Sequence, residues 1–513
     1  MTTTDPAATT AQELESILAA AAAAAPDWAQ APAAQRAAAL VSVADALDAA
    51  APQLIPVAQE ETFLPEGRLS GELKRTTFQL RLFAELLTDG GYLDARIDHA
   101  DPAWPMGARP DIRRVLEPLG PVVVFAASNF PFAFSVLGGD TCSALAAGCP
   151  VVLKVHSGHP RLSAAVGRVA NEALRAAGAP DGLLALVYGT AAGRDALLDP
   201  RIKAGAFTGS IPGGRALFDL ANSRPEPIPF YGELGSVNPV FVTEAAAAAR
   251  GAEIVTEFVA SYTLGAGQFC TKPGILLVPA GSGMVAELAA AARPAPAKLL
   301  NDRIQSGYTE ALEGLLKHDA VAPLGATGDT LAFPPAPALN ATTAAAMMAD
   351  PEGLITECFG PSALVATYES EDELLAVARV LDGQLTATIQ GEDTDAVAPE
   401  LVRALAQKAG RVLWNQWPTG VSVTYAQQHG GPYPATTAPT TTSVGTRDHP
   451  VPAPRGLPGP AGAPAAGCAA GLQSARRPAA GGRPAGRRLS RARWSSLSRP
   501  RARWLSLSKP GGR

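Results

Sequence analysis

The chain has 513 residues, 47% of them hydrophobic and 17% charged, with a formal net charge of −5. That length exceeds one ordinary core, so two or more domains are expected. Five cysteines without paired spacing exclude a disulfide framework and point to a reducing, cytoplasmic compartment, and the absence of CxxC or HExxH spacing speaks against a metal site.

In chain order, 11–25 and 34–50 read as alanine-rich helices, punctuated by Pro26 and Pro32. The apolar run 18–25 is too short and too weak for a membrane span, and the N-terminus lacks the cationic region of a secretory signal. A short strand is expected near 109–117, followed by the Pro118-Leu119-Gly120-Pro121 turn. Strands at 122–126, 151–153, 183–187 and 204–207 then alternate with helices at 134–147, 162–176, near Asp195, and at 214–221. Strand–helix alternation at this pace predicts right-handed βαβ units, a parallel sheet and a nucleotide at the carboxyl ends of its strands. A second α/β segment follows, with a helix at 245–264 and strands near 275–278 and 363–368. The expected division is 1–235, 236–431, and a return to the first domain at 432–447. From Asp448 onward the composition changes to Pro, Gly, Ala, Arg and Ser, with 13 basic residues against one acidic. It contains the near-repeat Arg491-Ala492-Arg493-Trp494 and Arg501-Ala502-Arg503-Trp504. A stretch with so little apolar periodicity is expected to be a disordered, solvated tail, translated in an altered frame; nucleic-acid binding through its Arg and Trp residues is the minor reading.

Five segments carry chemistry. Cys270 lies in Gly267-Gln268-Phe269-Cys270-Thr271-Lys272-Pro273-Gly274, where glycine-rich backbone and a following cation suit a thiolate nucleophile. Ser128-Asn129-Phe130-Pro131 follows a strand and offers an amide to a developing oxyanion. Phe207-Thr208-Gly209-Ser210-Ile211-Pro212-Gly213-Gly214 joins a strand to a helix, as a backbone cradle for a pyrophosphate does. Glu233-Leu234-Gly235 and Glu357-Cys358-Phe359-Gly360-Pro361 each set a carboxylate beside glycine. Taken singly, each has a bland reading: a buried cysteine, a turn asparagine, a tight turn, solvated acids. Their order around one unpaired thiol is what sets those readings aside.

From the N-terminal helices to about Arg447, the chain resembles the NAD(P)-dependent aldehyde dehydrogenases. Gly138-Gly139-Asp140-Thr141 and Lys154-Val155-His156-Ser157-Gly158-His159-Pro160, with the Cys270 segment, are similar to the 2,5-dioxopentanoate (α-ketoglutaric semialdehyde) dehydrogenase branch. The resemblance implies a Rossmann-type cofactor domain, an α/β catalytic domain and a homo-oligomer, dimer or tetramer. It implies that Cys270 attacks the aldehyde, that Asn129 holds the oxyanion and that Glu233 activates the hydrolytic water. Cofactor binding would fall to Lys154, Ser157, Gly209, Ser210, Gly214, Glu357 and Phe359. Ser157 stands where NAD-preferring relatives often carry Glu, so NADP is expected to serve at least as well as NAD, with Arg194 as a partner for the 2′-phosphate. Ser128 stands where many relatives have Trp, and the basic tail replaces their ordered C-terminal end, which puts assembly in question. Two other readings stay open at this point: a fatty or other aldehyde as substrate, and a misassembled, non-catalytic chain.

Overall fold

The computed structural model describes residues 5–325, 328–425 and 427–438, and the backbone of Pro452–Pro458. The α/β architecture read from the alternation is present. Three helices lead: α1 (Ala11–Gln30), α2 (Ala33–Thr62) and α3 (Glu66–Asp89). A capping box between Thr10 and Glu13 starts α1, and Pro26 lies inside that helix rather than ending it. By length and hydropathy α2 would suffice to cross a bilayer, but Leu40, Val43, Leu47 and Leu54 on it are buried, and it packs along α3 and a later helix, α5.

A small separate unit holds β1 (Arg96–Asp98) and β2 (Ile112–Pro118), paired antiparallel. The short strand expected near 109–117, with its strand-like run at 112–117, is therefore β2. Of the tail expected to be disordered, only Pro452–Pro458 is described, and it forms a strand beside β2 where none was foreseen. The rest of 448–513, including the Arg-Trp repeat, lies outside the described residues.

The first sheet is β3 (Val122–Phe125), β4 (Val151–Lys154), β5 (Leu184–Val187), β6 (Ala204–Thr208) and β7 (Phe230–Glu233). All its pairings are parallel, in the order β5-β4-β3-β6-β7. The chain leaves β3 toward β4 on one side and returns to β6 on the other. The crevice at the carboxyl ends of β3 and β6 is thus the switch point where such sheets bind ligands. The connecting helices are α4 (Gly139–Ala147), α5 (Pro160–Ala176), α6 (Thr190–Leu198) and α7 (Ile211–Asn222). Val123, Phe125, Val152 and Val187 bury one face of the sheet against Leu14, Leu18 and Ala21 of α1, as expected of strands covered on both sides.

Helix α4 begins five residues later than the sequence pattern suggests. The backbone N–H groups of Phe132 and Ala133 donate instead to the carboxylate of Glu72 on α3, at 2.8 and 3.0 Å. A side chain added at Gly138 would come within 2.5 Å of the Ala133 carbonyl. The Glu72 carboxylate thus pins a turn at 132–133, and the close approach at Gly138 keeps the chain in turns until Gly139.

The second sheet contains β8 (Val240–Val242), β9 (Ile275–Pro279), β10 (Ala322–Pro323), β11 (Ala338–Thr343), β12 (Ser362–Tyr368), β13 (Gln384–Gln390) and β14 (Ala409–Trp414). Its order is β10-β11-β12-β9-β8-β13-β14, parallel except at the β10 edge. Helix α8 (Glu244–Thr263) covers one face through Ile254, Phe258 and Tyr262. Residues 432–438 come back to the first sheet: Leu234 N donates to Ala435 O at 2.7 Å and Gly232 N to Thr437 Oγ1 at 2.8 Å.

Candidate active site

The loop between α8 and β9 carries Cys270. Gly265, Ala266 and Gly267 all have φ between 55° and 68°, and a Cβ on Gly267 would sit 2.0 Å from the Gly360 carbonyl oxygen. Only glycine allows that approach. Asn238, itself at φ 46°, holds the far side of the loop by donating from Nδ2 to the carbonyls of Cys270 (2.8 Å) and Lys272 (2.9 Å). Gln384 Oε1 in turn accepts from the N–H groups of Val237 (2.9 Å) and Asn238 (3.3 Å) and from Ser236 Oγ (2.9 Å). Asn238 is wholly buried, so Asn238→Ala leaves two carbonyls without that donor. We expect a loss of about 2–4 kcal/mol of stability in urea unfolding, with a lower kcat from the loosened loop.

Cys270 Sγ lies 3.6 Å from His429 Nε2, and the same nitrogen is 2.7 Å from Glu233 Oε1. Glu233 and His429 are 1% and 0% exposed, and the thiol residue is half-buried. Burial pushes the thiol well above its usual range; Glu233 and Glu357 add to this and Arg411 opposes it. The resting sulfur is therefore a protonated thiol facing a base. His429 was missed by the sequence reading, which found no clustering among the six histidines. A lone histidine 159 residues from its thiol leaves no local pattern to find. The three donor atoms lie within 4.8 Å of one another, close enough to share a soft divalent ion, which would block the sulfur.

Lys272 does not play the part expected of a cation beside the thiol. Its ammonium is buried and donates to the carbonyls of Cys358 (2.7 Å) and Ser362 (2.6 Å), fixing the loop that carries Glu357. Asn129, in the loop after β3, donates from Nδ2 to Gln268 O at 3.2 Å, which sets its amide against the thiol loop. The Glu357 carboxylate packs on Gly235, where a Cβ would meet Oε2 at 2.4 Å, and burial raises it to about 7 while Lys272 opposes the shift. Phe359 follows as a half-buried ring on the same loop.

Beside this group, Gly209 and Ser210 lie exposed at the N-terminus of α7. Gly209 N donates to Glu233 O at 3.0 Å, and Ser210 Oγ caps the helix by accepting from Gly213 N at 3.4 Å. Gly214 is required for packing, since a Cβ there would overlap Leu234 Cδ2 at 2.0 Å. Farther along the strand ends, Lys154 closes β4 and Ser157 is exposed in the loop after it. Arg194 is exposed on α6, next to Gly193, whose position lies 2.7 Å from Lys154 Cγ when a Cβ is added. Sequence reading also missed Arg303, whose charge bears on both Lys154 and His156; burial holds His156 down at about 3, hence neutral. An open helix N-terminus, a glycine cradle under a carboxylate and a basic rim fit a dinucleotide laid across the switch point.

Residues 2–305 match the aldehyde dehydrogenase family. The alpha-ketoglutaric semialdehyde dehydrogenase 2 of Azospirillum brasilense is 46% identical over 423 residues, covering 81% of this chain and 80% of that protein. The chain belongs to the aldehyde dehydrogenase family. An alpha-ketoglutaric semialdehyde dehydrogenase of Acinetobacter baylyi is 43% identical, over 80% of each chain. Among solved structures, methylmalonate-semialdehyde dehydrogenase from Oceanimonas doudoroffii has a TM-score of 0.72 at 19% identity, covering 88% of this chain and 91% of its own. Gamma-glutamyl-gamma-aminobutyraldehyde dehydrogenase from Burkholderia cenocepacia has 0.73 at 20%, covering 88% and 89%. These structural likenesses carry the aldehyde dehydrogenase fold. The family match stops short of Glu357 and His429, whose place at the site comes from the geometry above.

Proposed function

We propose that this aldehyde dehydrogenase oxidises 2,5-dioxopentanoate to 2-oxoglutarate through a thioester on Cys270. The contact between the Cys270 thiol and the His429–Glu233 pair carries the chemistry, and the names of the two semialdehyde dehydrogenases carry the substrate. Cys270 Sγ adds to the aldehyde carbon as its proton passes to the Glu233 carboxylate, which the His429 Nε2–H holds in place. The oxyanion is stabilised by Asn129 Nδ2 and the Cys270 N–H, about 3 kcal/mol for each donor. The Gly209–Ser210 turn, Gly214, Glu357 and Phe359 would hold a nicotinamide cofactor, which would supply the hydride acceptor. Glu233 then takes a proton from the water that hydrolyses the thioester.

Residues 1–235 are read as the cofactor domain and 236–431 as the catalytic domain, with 432–447 returning to the first. On the adenosine side, Lys154, Ser157, Arg194 and Arg303 offer positive charge and a small hydroxyl to a 2′-phosphate. NADP is therefore read as at least as good a cofactor as NAD. The described cysteines are all unpaired, in keeping with a cytoplasmic enzyme. Assembly is read as homo-oligomeric; gel filtration of the full chain beside a version stopped at Arg447 tests what the tail does to it.

A panel of acidic, aliphatic and aromatic aldehydes assayed with both cofactors tests this reading. The highest kcat/KM is expected for 2,5-dioxopentanoate with NADP. A better long-chain aldehyde overturns the substrate, and a strong NAD preference overturns the cofactor.

A further inference from the structure

Helix α3 brings two arginines to the site that the chemistry above does not use. The Arg68 guanidinium lies 4.6 Å from the centre of the Phe130 ring and 4.5 Å from that of Phe269. These rings belong to the residues that directly follow Asn129 and directly precede Cys270, and they meet edge to face at 5.5 Å. Arg68 Nη2 donates to the Asn129 carbonyl at 3.1 Å, and Nη1 lies 3.1 Å from where a Cβ on Gly265 would stand. The cation is thus wedged between the two loops that flank the thiol. Two turns along α3, the Arg75 guanidinium lies 5.8 Å from the Phe130 ring and 5.1 Å from the Phe134 ring. Its Nη1 is buried with no hydrogen-bond partner among the described residues.

The charge of this pair is only partly balanced. Glu72 Oε2 reaches Arg68 Nη2 at 3.8 Å, too long for a hydrogen bond, and Glu72 Oε1 is taken by Phe132 N and Ala133 N. Within α3 two guanidiniums face one acid, so Glu72 does not use up the carboxylate-binding capacity of Arg68. Phe130, Val421 and Val423 pack against one small apolar cluster of Ala127, Ala133 and Phe134, so the cation on the Phe130 ring borders apolar surroundings where a charge-assisted contact is strong. The Arg68 side chain is 18% exposed, which leaves it reachable. A planar guanidinium stacked on aromatic rings is pre-oriented for a carboxylate in a way an ammonium is not.

We propose that Arg68, backed by Arg75, is the receptor for the carboxylate at the far end of an acidic aldehyde, and so selects this substrate class. The inference rests on the proposed function and adds the residues that read the substrate. It is tested with Arg68→Met and Arg68→Lys, comparing kcat/KM for 2,5-dioxopentanoate with that for an uncharged aldehyde of equal chain length. In Arg68→Met the acidic-to-neutral ratio is expected to fall on the order of 30-fold, mainly through KM for the acid, with partial recovery in Arg68→Lys. Binding of 2-oxoglutarate to the enzyme, followed by calorimetry, should weaken on the same scale. A merely structural arginine would lower both substrates together and leave the ratio standing. Should the native enzyme prefer the acidic aldehyde and Arg68→Met keep that preference within about threefold, this inference falls while the proposed function stands. Should the native enzyme show no such preference, both fall.

Discussion

Replacing Cys270 by alanine should lower kcat by about ten-thousand-fold or more, with dinucleotide affinity, read by fluorescence titration, little changed. The sulfur forms the covalent bond on which every later step depends, and the neighbouring groups retain only their binding role without it. The same thiol should show its protonation state directly. Burial and two nearby carboxylates raise its pKa, so the thiolate fraction is small at neutral pH and grows as pH rises. Iodoacetamide labelling of the cofactor-free enzyme should therefore climb past the usual thiol midpoint of about 8.5 rather than level off there. Among the described cysteines, Cys142, Cys149 and Cys358 are buried and Cys270 is half-buried, so mass spectrometry should find Cys270 labelled before these three. Equal labelling at neutral and alkaline pH would mean a preformed thiolate and a different activation route.

The first sheet was legible because its strands are short, continuous Val, Leu and Ala runs between glycine and proline, a local signal that survives folding. The helix boundaries were less so. Pro26, Pro52 and Pro56 all lie inside helices, where packing outweighs the local preference, and α4 starts late, after a turn that Glu72 pins at 132–133. At the site, Cys270, Glu233 and Glu357 announce themselves by adjacent glycines, since close packing of backbone on a reacting group demands them: Gly235 under Glu357 and Gly267 against Gly360. His429, Arg68 and Arg303 have no such local mark. Each acquires its role only when a distant segment folds beside it, so sequence spacing could not single them out. Lys272 shows the converse error: adjacency in sequence suggested a partner for the thiol, and the chain turns that side chain toward another loop.

Glu233→Gln and His429→Asn should both cripple turnover, yet move the thiol in opposite directions. Loss of the Glu233 carboxylate removes the base behind the hydrolytic water, and kcat should fall about a thousand-fold. The thiol, with its pKa lowered, still loses its proton to solvent in that variant, so acylation continues and one equivalent of reduced cofactor per active site should appear as a burst before the slow steady state. Because the Glu233 charge is one of the causes that hold the thiol pKa up, its removal lowers that pKa. Labelling of Cys270 at neutral pH should then become several-fold faster. His429→Asn takes away the nitrogen 3.6 Å from the sulfur, so labelling and the burst should both slow. If both variants slow the labelling alike, Glu233 serves only to position His429 and hydrolysis needs another base; Asp140 is then the group to test, a buried acid raised to about 7 by burial and by the charge of Glu233.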